Sequence, residues 1–98
     1  MSSYQQDLFV HLFKSVNGLD KFFAVKILEQ LVIKAELHIE EIYLIFGNHR
    51  KKTVRKILSL LEENHLVFSN DSGNKKIYQI TKSGEELVIQ SYSNYPYL

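Results

Sequence analysis

Asn48 to Asn64 reads NHRKKTVRKILSLLEEN, and within it Val54, Ile57, Leu58 and Leu61 recur at three, one and three residues. That spacing draws one apolar stripe along a helix of about residues 49–64, which therefore has one side to bury and one to expose. Arg50, Lys51, Thr53, Arg55, Lys56 and Ser59 lie largely off the stripe, while the acids Glu62 and Glu63 come only at its far end. Five bases, Arg50, Lys51, Lys52, Arg55 and Lys56, fall within the nine residues from Asn48 to Lys56 with no acid among them. Positive charge thus gathers in the N-terminal half of the helix. There it adds to the positive end of the helix dipole, where acids are the preferred residues. A sequence that carries this cost has an anion to place at that end.

The whole-chain charge hides this arrangement. The formal net charge is +1, from twelve Lys and Arg against eleven Asp and Glu. The basic run supplies five of the twelve, and Lys75 and Lys76 two more, so the remaining five bases face all eleven acids. A basic patch on an acidic body is the distribution expected of a chain that meets a polyanion with one face. Hydrophobic residues make up 45% of the chain, enough for a folded core, and no apolar run approaches the roughly 18 residues of a membrane span. The segment Met1 to Lys14 carries Asp7 and His11 and has no small-residue cleavage site, so it does not read as a signal peptide. At 98 residues the chain reads as a single domain, 1–98, of a size that gains from a partner subunit. Zero cysteines exclude disulfides, zinc-thiolate sites and a thiol nucleophile, and point to the cytoplasm.

Ahead of the basic helix, Tyr4, Leu8, Phe9, Leu12, Phe13 and Val16 form an apolar stripe ended by Asn17 and Gly18. Asp20 then reads as the N-cap of a second helix. In that helix Phe22, Phe23, Val25, Ile27, Leu28, Leu31, Val32 and Ile33 cover nearly the whole circumference, which predicts the buried centre of the domain. HIEEIYLIFGN, from His38 to Asn48, predicts one or two helical turns and a corner at Gly47. After the basic helix, LVFSN and KKIYQIT flank the turn-forming DSGN and read as an antiparallel hairpin with Lys75 and Lys76 near its tip. Ser83 to Glu86 has the spacing of a capping box and starts a last helix containing Leu87, Val88, Ile89 and Tyr92. The predicted class is mainly α with a small β-hairpin, α+β.

Helix, short helix, glycine corner, basic helix, hairpin and helix is an order that resembles the winged helix-turn-helix domain. EEIYLIFG looks like its positioning helix, HRKKTVRKILSLLEENHLV like its recognition helix running into the first wing strand, and YQITKSGEEL like the second wing strand. In small transcriptional regulators of the MarR, ArsR and PadR type that strand ends in an aromatic, a hydrophobic residue and Thr, then a Gly that opens the next helix. Tyr78, Ile80, Thr81 and Gly84 stand in those places. The resemblance covers roughly Asp20 to Leu87, and the size is similar to minimal regulators of archaeal viruses and plasmids, which would act in the host cytoplasm. Two departures stand out. Asn64 and His65 replace the glycine that commonly follows the recognition helix, so Asn64 is expected to take the left-handed conformation, and there is no room for the long helices that frame the MarR effector pocket.

The resemblance implies double-stranded DNA as partner, with the basic helix in the major groove and the wing, 66–81, on flanking backbone. Arg50, Thr53 and Arg55 are the candidates for base edges, since Arg makes bidentate contacts to guanine. Lys51, Lys52, Lys56 and Ser59 are assigned to phosphate, as are Lys75 and Lys76 on the wing, and His49 begins the basic helix within reach of phosphate. The alternative is a winged-helix module that docks on protein and reads no DNA. Leu8, Phe9, Leu12, Phe13, Tyr92 and Tyr95, in terminal helices 4–16 and 84–95 outside the core 20–87, predict a homodimer interface. No catalytic residue, metal or cofactor is expected. His11, His38, His49 and His65 are not spaced as ligands, and Glu40 with Glu41, Glu62 with Glu63 and Glu85 with Glu86 point to different sides of their helices.

Overall fold

Phe23, Ala24, Ile27, Leu28 and Leu31 recur at one, three, one and three residues and line the buried face of the first helix, α1 (Gly18–Lys34). The computed structural model describes residues 18–94, with side chains as far as Tyr92. After α1 come a short strand β1 (Glu36–His38), α2 (Ile39–Phe46), a 3-10 turn (Asn48–Arg50) and α3 (Lys51–Glu63). The hairpin β2 (Val67–Ser72) and β3 (Lys75–Ile80) and a last helix, α4 (Lys82–Asn94), complete the described chain. It is a mainly helical α+β architecture with a small three-stranded antiparallel sheet, in the order β1-β3-β2. Central β3 sets Tyr78 opposite Leu37 on one side and Ile80 opposite Val67 on the other.

The stripe of α3 faces inward as its spacing requires: Val54, Ile57, Leu58 and Leu61 are almost fully buried against α1, together with Ile42, Leu66, Val67, Tyr78, Leu87 and Val88. α1 is two-faced rather than buried all round. Leu19, Phe22, Val32 and Ile33 remain exposed among the described residues, because β3, α3 and α4 occupy only one side of the helix. Asp20 is not the cap of α1 but a buried residue of its first turn, and its carboxylate faces α3. The strand β1 has no counterpart in the sequence reading. Three residues, Glu36 to His38, are too few to display a period of two.

Two chain reversals explain the residues around the sheet. At the end of α3, His65 N–H donates to the Glu62 carbonyl at 3.0 Å and Leu66 N–H to the Leu61 carbonyl at 2.9 Å, the Schellman pattern. The left-handed residue is His65, at φ 61°, and not Asn64, whose φ of −95° leaves its side-chain amide to donate to the Leu60 carbonyl at 2.8 Å. The motif needs its left-handed residue one position later than the sequence suggests. Likewise α4 starts before the Ser83 box. The Thr81 hydroxyl accepts from Gly84 N–H at 3.0 Å and directs its proton at the His65 carbonyl, 2.7 Å away, so one side chain caps α4 and ties it to the α3–β2 corner. Gly84 is required there: an added Cβ would lie 2.3 Å from the Leu66 carbonyl oxygen.

Candidate nucleic-acid interface

A helix advances about 100° per residue, so the positions opposite Val54, Ile57, Leu58 and Leu61 are fixed. Lys52, Arg55, Lys56 and Ser59 occupy them, and all four are exposed. They form one ridge along α3 with spacings of three, one and three residues. Lys51 and Thr53 flank the ridge and are partly buried, as is Arg50 at the end of the 3-10 turn. Of the three candidates for base edges, Arg55 alone stands on the outward ridge. His49 is exposed in the 3-10 turn that leads into it.

The corner before α3 is built on Gly47, with φ 98° and ψ 142°, a conformation that side chains disfavour. Gly47 N–H closes α2 by donating to the Tyr43 carbonyl at 2.8 Å, and its own carbonyl accepts from Arg50 N–H at 3.0 Å. One glycine therefore ends the short helix and starts the turn that aims the basic helix. The left-handed sense of φ expected at this corner is present.

The bases do not simply project into water. The Arg50 guanidinium lies 5.5 Å from the centre of the Phe23 ring, which stacks in turn on Phe46 at 4.4 Å. Lys51 places its ammonium 5.1 Å from the Tyr43 ring centre, and Arg55 Nη1 donates to the Tyr43 hydroxyl at 3.4 Å. Lys56 Nζ sits 2.9 Å from Asp20 Oδ2, an exposed lysine paired with an almost fully buried carboxylate. Cation–π attraction and this ion pair hold the cluster against α1 and α2. Sequence reasoning missed Phe23, Tyr43 and Asp20 as supports. Asp20 and Lys56 are 36 residues apart, and no local spacing links them.

On the hairpin, Lys75 and Lys76 are exposed and open β3 directly after the Gly73–Asn74 reversal, where Gly73 has φ 63°. The turn spans two residues, since Asp71 and Ser72 of the predicted turn belong to β2. In register, Lys75 faces Ser72 and Lys76 faces Asp71, so part of the wing's positive charge has an acid beside it. Lys76 also lies 5.9 Å from the ring centre of Tyr78. Burial holds the Tyr78 phenol above its ordinary pKa, with the charges of Glu62, Tyr43 and Asp71 adding to the effect.

Of the residues read as a dimer interface, Leu8, Phe9, Leu12, Phe13 and Tyr95 lie outside the described residues. Tyr92 is exposed on α4, and its hydroxyl donates to Glu29 of α1. That hydrogen bond raises the Tyr92 pKa first, with burial and the Glu29 charge following. Among the described residues no group of three His, Asp or Glu is placed to hold a metal, and no helix is long and apolar enough to cross a membrane. No protein-family model, curated protein or solved structure matches this chain.

Proposed function

We propose that the chain is a winged helix-turn-helix transcriptional regulator that binds double-stranded DNA sequence-specifically as a homodimer in the cytoplasm. α3 enters the major groove and the β2–β3 wing lies on flanking backbone. The observation that carries this reading is the ridge of Lys52, Arg55, Lys56 and Ser59, exposed on the side of α3 opposite its buried stripe. An α-helix fits the major groove, and a ridge of bases along its outer side brings charge to the phosphates and donors to base edges. Arg55 is the leading base-reading residue, with Arg50 and Thr53 beside it, and Lys51, Lys52, Lys56, Ser59, Lys75 and Lys76 meet phosphate. The tether of Arg55 to Tyr43 supports such a role, since a guanidinium held in place loses less freedom on binding.

Titration of duplex DNA at several salt concentrations tests the proposal. Each phosphate contact contributes about 0.9 to the slope of log affinity against log salt, so affinity should fall steeply between low and physiological salt. Replacement of Arg50, Lys51, Lys52, Arg55 and Lys56 by alanine should abolish binding. Unchanged duplex affinity in that variant would refute the assignment, and a salt-insensitive interaction with a protein would favour the docking module.

A further inference from the structure

The outer side of α1 has a pattern of its own. At about 100° per residue, Phe22, Lys26, Glu29 and Ile33 fall within a strip about 60° wide, opposite the buried Ile27 and Leu31. Phe22 is 60% exposed and Ile33 69%, and Lys26 and Glu29 are partly exposed between them. The spacings of four, three and four residues read the same from either end, with an apolar residue at each end and one base and one acid in the middle. The hydrogen bond from the Tyr92 hydroxyl to Glu29 brings α4 to the edge of the strip, where Ile89 is 64% exposed one turn before Tyr92. Large apolar side chains exposed on two adjoining helices make a face of the kind that marks an interface. The basic ridge of α3 is not part of it.

We infer that this face receives the same face of a second copy of the chain, with the two α1 helices antiparallel about a two-fold axis that passes between Ile27 and Leu28. The proposal rests on the homodimer reading above but not on DNA binding. The order of the strip decides the occupant. Reversed on itself about that axis, it sets Phe22 of each copy opposite Ile33 of the other and Lys26 of each opposite Glu29 of the other, so every apolar residue meets an apolar one and every charge its opposite. A surface that complements its own reversal is what an isologous contact requires. A parallel copy would set Lys26 against Lys26 and Glu29 against Glu29, and like charges so placed oppose association. An uncharged apolar partner would cover both charges without giving either a counter-charge. The apolar ends supply the burial, and the charged middle fixes direction and register.

Light scattering of the full chain at micromolar concentration and low salt should give twice the 11.5 kDa of one chain without DNA. Lys26→Glu sets acid against acid at both contacts and Glu29→Lys sets base against base, so each variant alone should raise the dimer dissociation constant at least about tenfold. Neither position belongs to the core, so both variants should keep the fold by circular dichroism. Mixed one to one, the two variants put an acid opposite a base again at both contacts, and a chain carrying both changes does so in its own homodimer. Both should return to the dissociation constant of the parent. Single variants that dimerise as tightly as the parent would overturn this face while leaving the homodimer standing. Folded single variants that dissociate and are rescued neither by mixing nor by the double change would overturn the antiparallel register, and a monomer at all concentrations would overturn both face and homodimer.

Discussion

Replacing Lys56 with alanine separates two roles that the basic ridge combines. The ammonium is 2.9 Å from Asp20 Oδ2; the lysine side chain is 65% exposed and the aspartate side chain only 8%. An exposed pair contributes about 0.2–1 kcal/mol, and breaking a fully buried pair costs about 3–5 kcal/mol. This one lies between, since water screens the lysine but not the carboxylate, and Asp20 takes part in a further interaction of its own. A loss of about 1–2 kcal/mol follows for Lys56→Ala, which in a domain this size lowers the melting temperature by about 4–16 °C. Lys52→Ala, on the same ridge, should leave stability within about 0.5 kcal/mol.

DNA binding should respond in the opposite order. Lys52 gives up a contact worth about 0.9 in salt slope, whereas Lys56 must partly release Asp20 to neutralise a phosphate, so its removal should flatten the slope less. Urea unfolding of Lys56→Ala, Asp20→Asn and the double variant gives the coupling energy, and duplex titrations over a salt series give the slopes. A Lys56→Ala protein as stable as the parent, with the full slope lost, would refute the ion pair as a structural tie.

Three further outcomes follow from the packing. Gly84→Ala should destabilise by about 1–3 kcal/mol or prevent folding, because its Cβ would meet the Leu66 carbonyl oxygen and the Ile80 side chain; urea unfolding measures it. His65→Gly should stabilise by about 0.5–1 kcal/mol in the same assay, since it relieves a left-handed φ of 61° and leaves the backbone hydrogen bonds unchanged. Tyr78 has its folded pKa raised above 10.0, so its contribution is complete below pH 10 and is lost as pH rises through the folded value; Tyr78→Phe should unfold less readily above pH 10 in a pH series of melting temperatures.

Legibility divided along the range of the interactions. The α3 stripe, the hairpin and the Gly47 corner each rest on neighbours within a few residues, and each could be read from spacing or turn chemistry. Thr81 and Gly84 were visible as a pattern, but their reason was not: the hydroxyl and the missing Cβ answer to the carbonyls of His65 and Leu66, sixteen and eighteen residues earlier. The left-handed residue was misplaced by one position because Asn is favoured in that conformation, while the Schellman hydrogen bonds set the position from the last turn of the helix. The apolar surround of α1 looked like burial on every side. Period alone does not distinguish a helix wrapped by its own domain from one that shares a face with something else.

The same division resolves the problem of five bases at the positive end of a helix dipole. Read locally, each base is unfavourable there, and an anionic partner is the only compensation in view. The tertiary structure adds other compensation: the ring faces of Phe23 and Tyr43 carry the negative quadrupole that attracts Arg50 and Lys51, the Tyr43 hydroxyl accepts from Arg55, and Asp20 pairs with Lys56. These partners come from α1 and α2, so the cluster is oriented by the core before any ligand arrives. Lys52 has none of these supports. A ridge assembled in this way joins one charge without such supports to several placed ones, and placed donors favour recognition of a particular geometry over general attraction to charge.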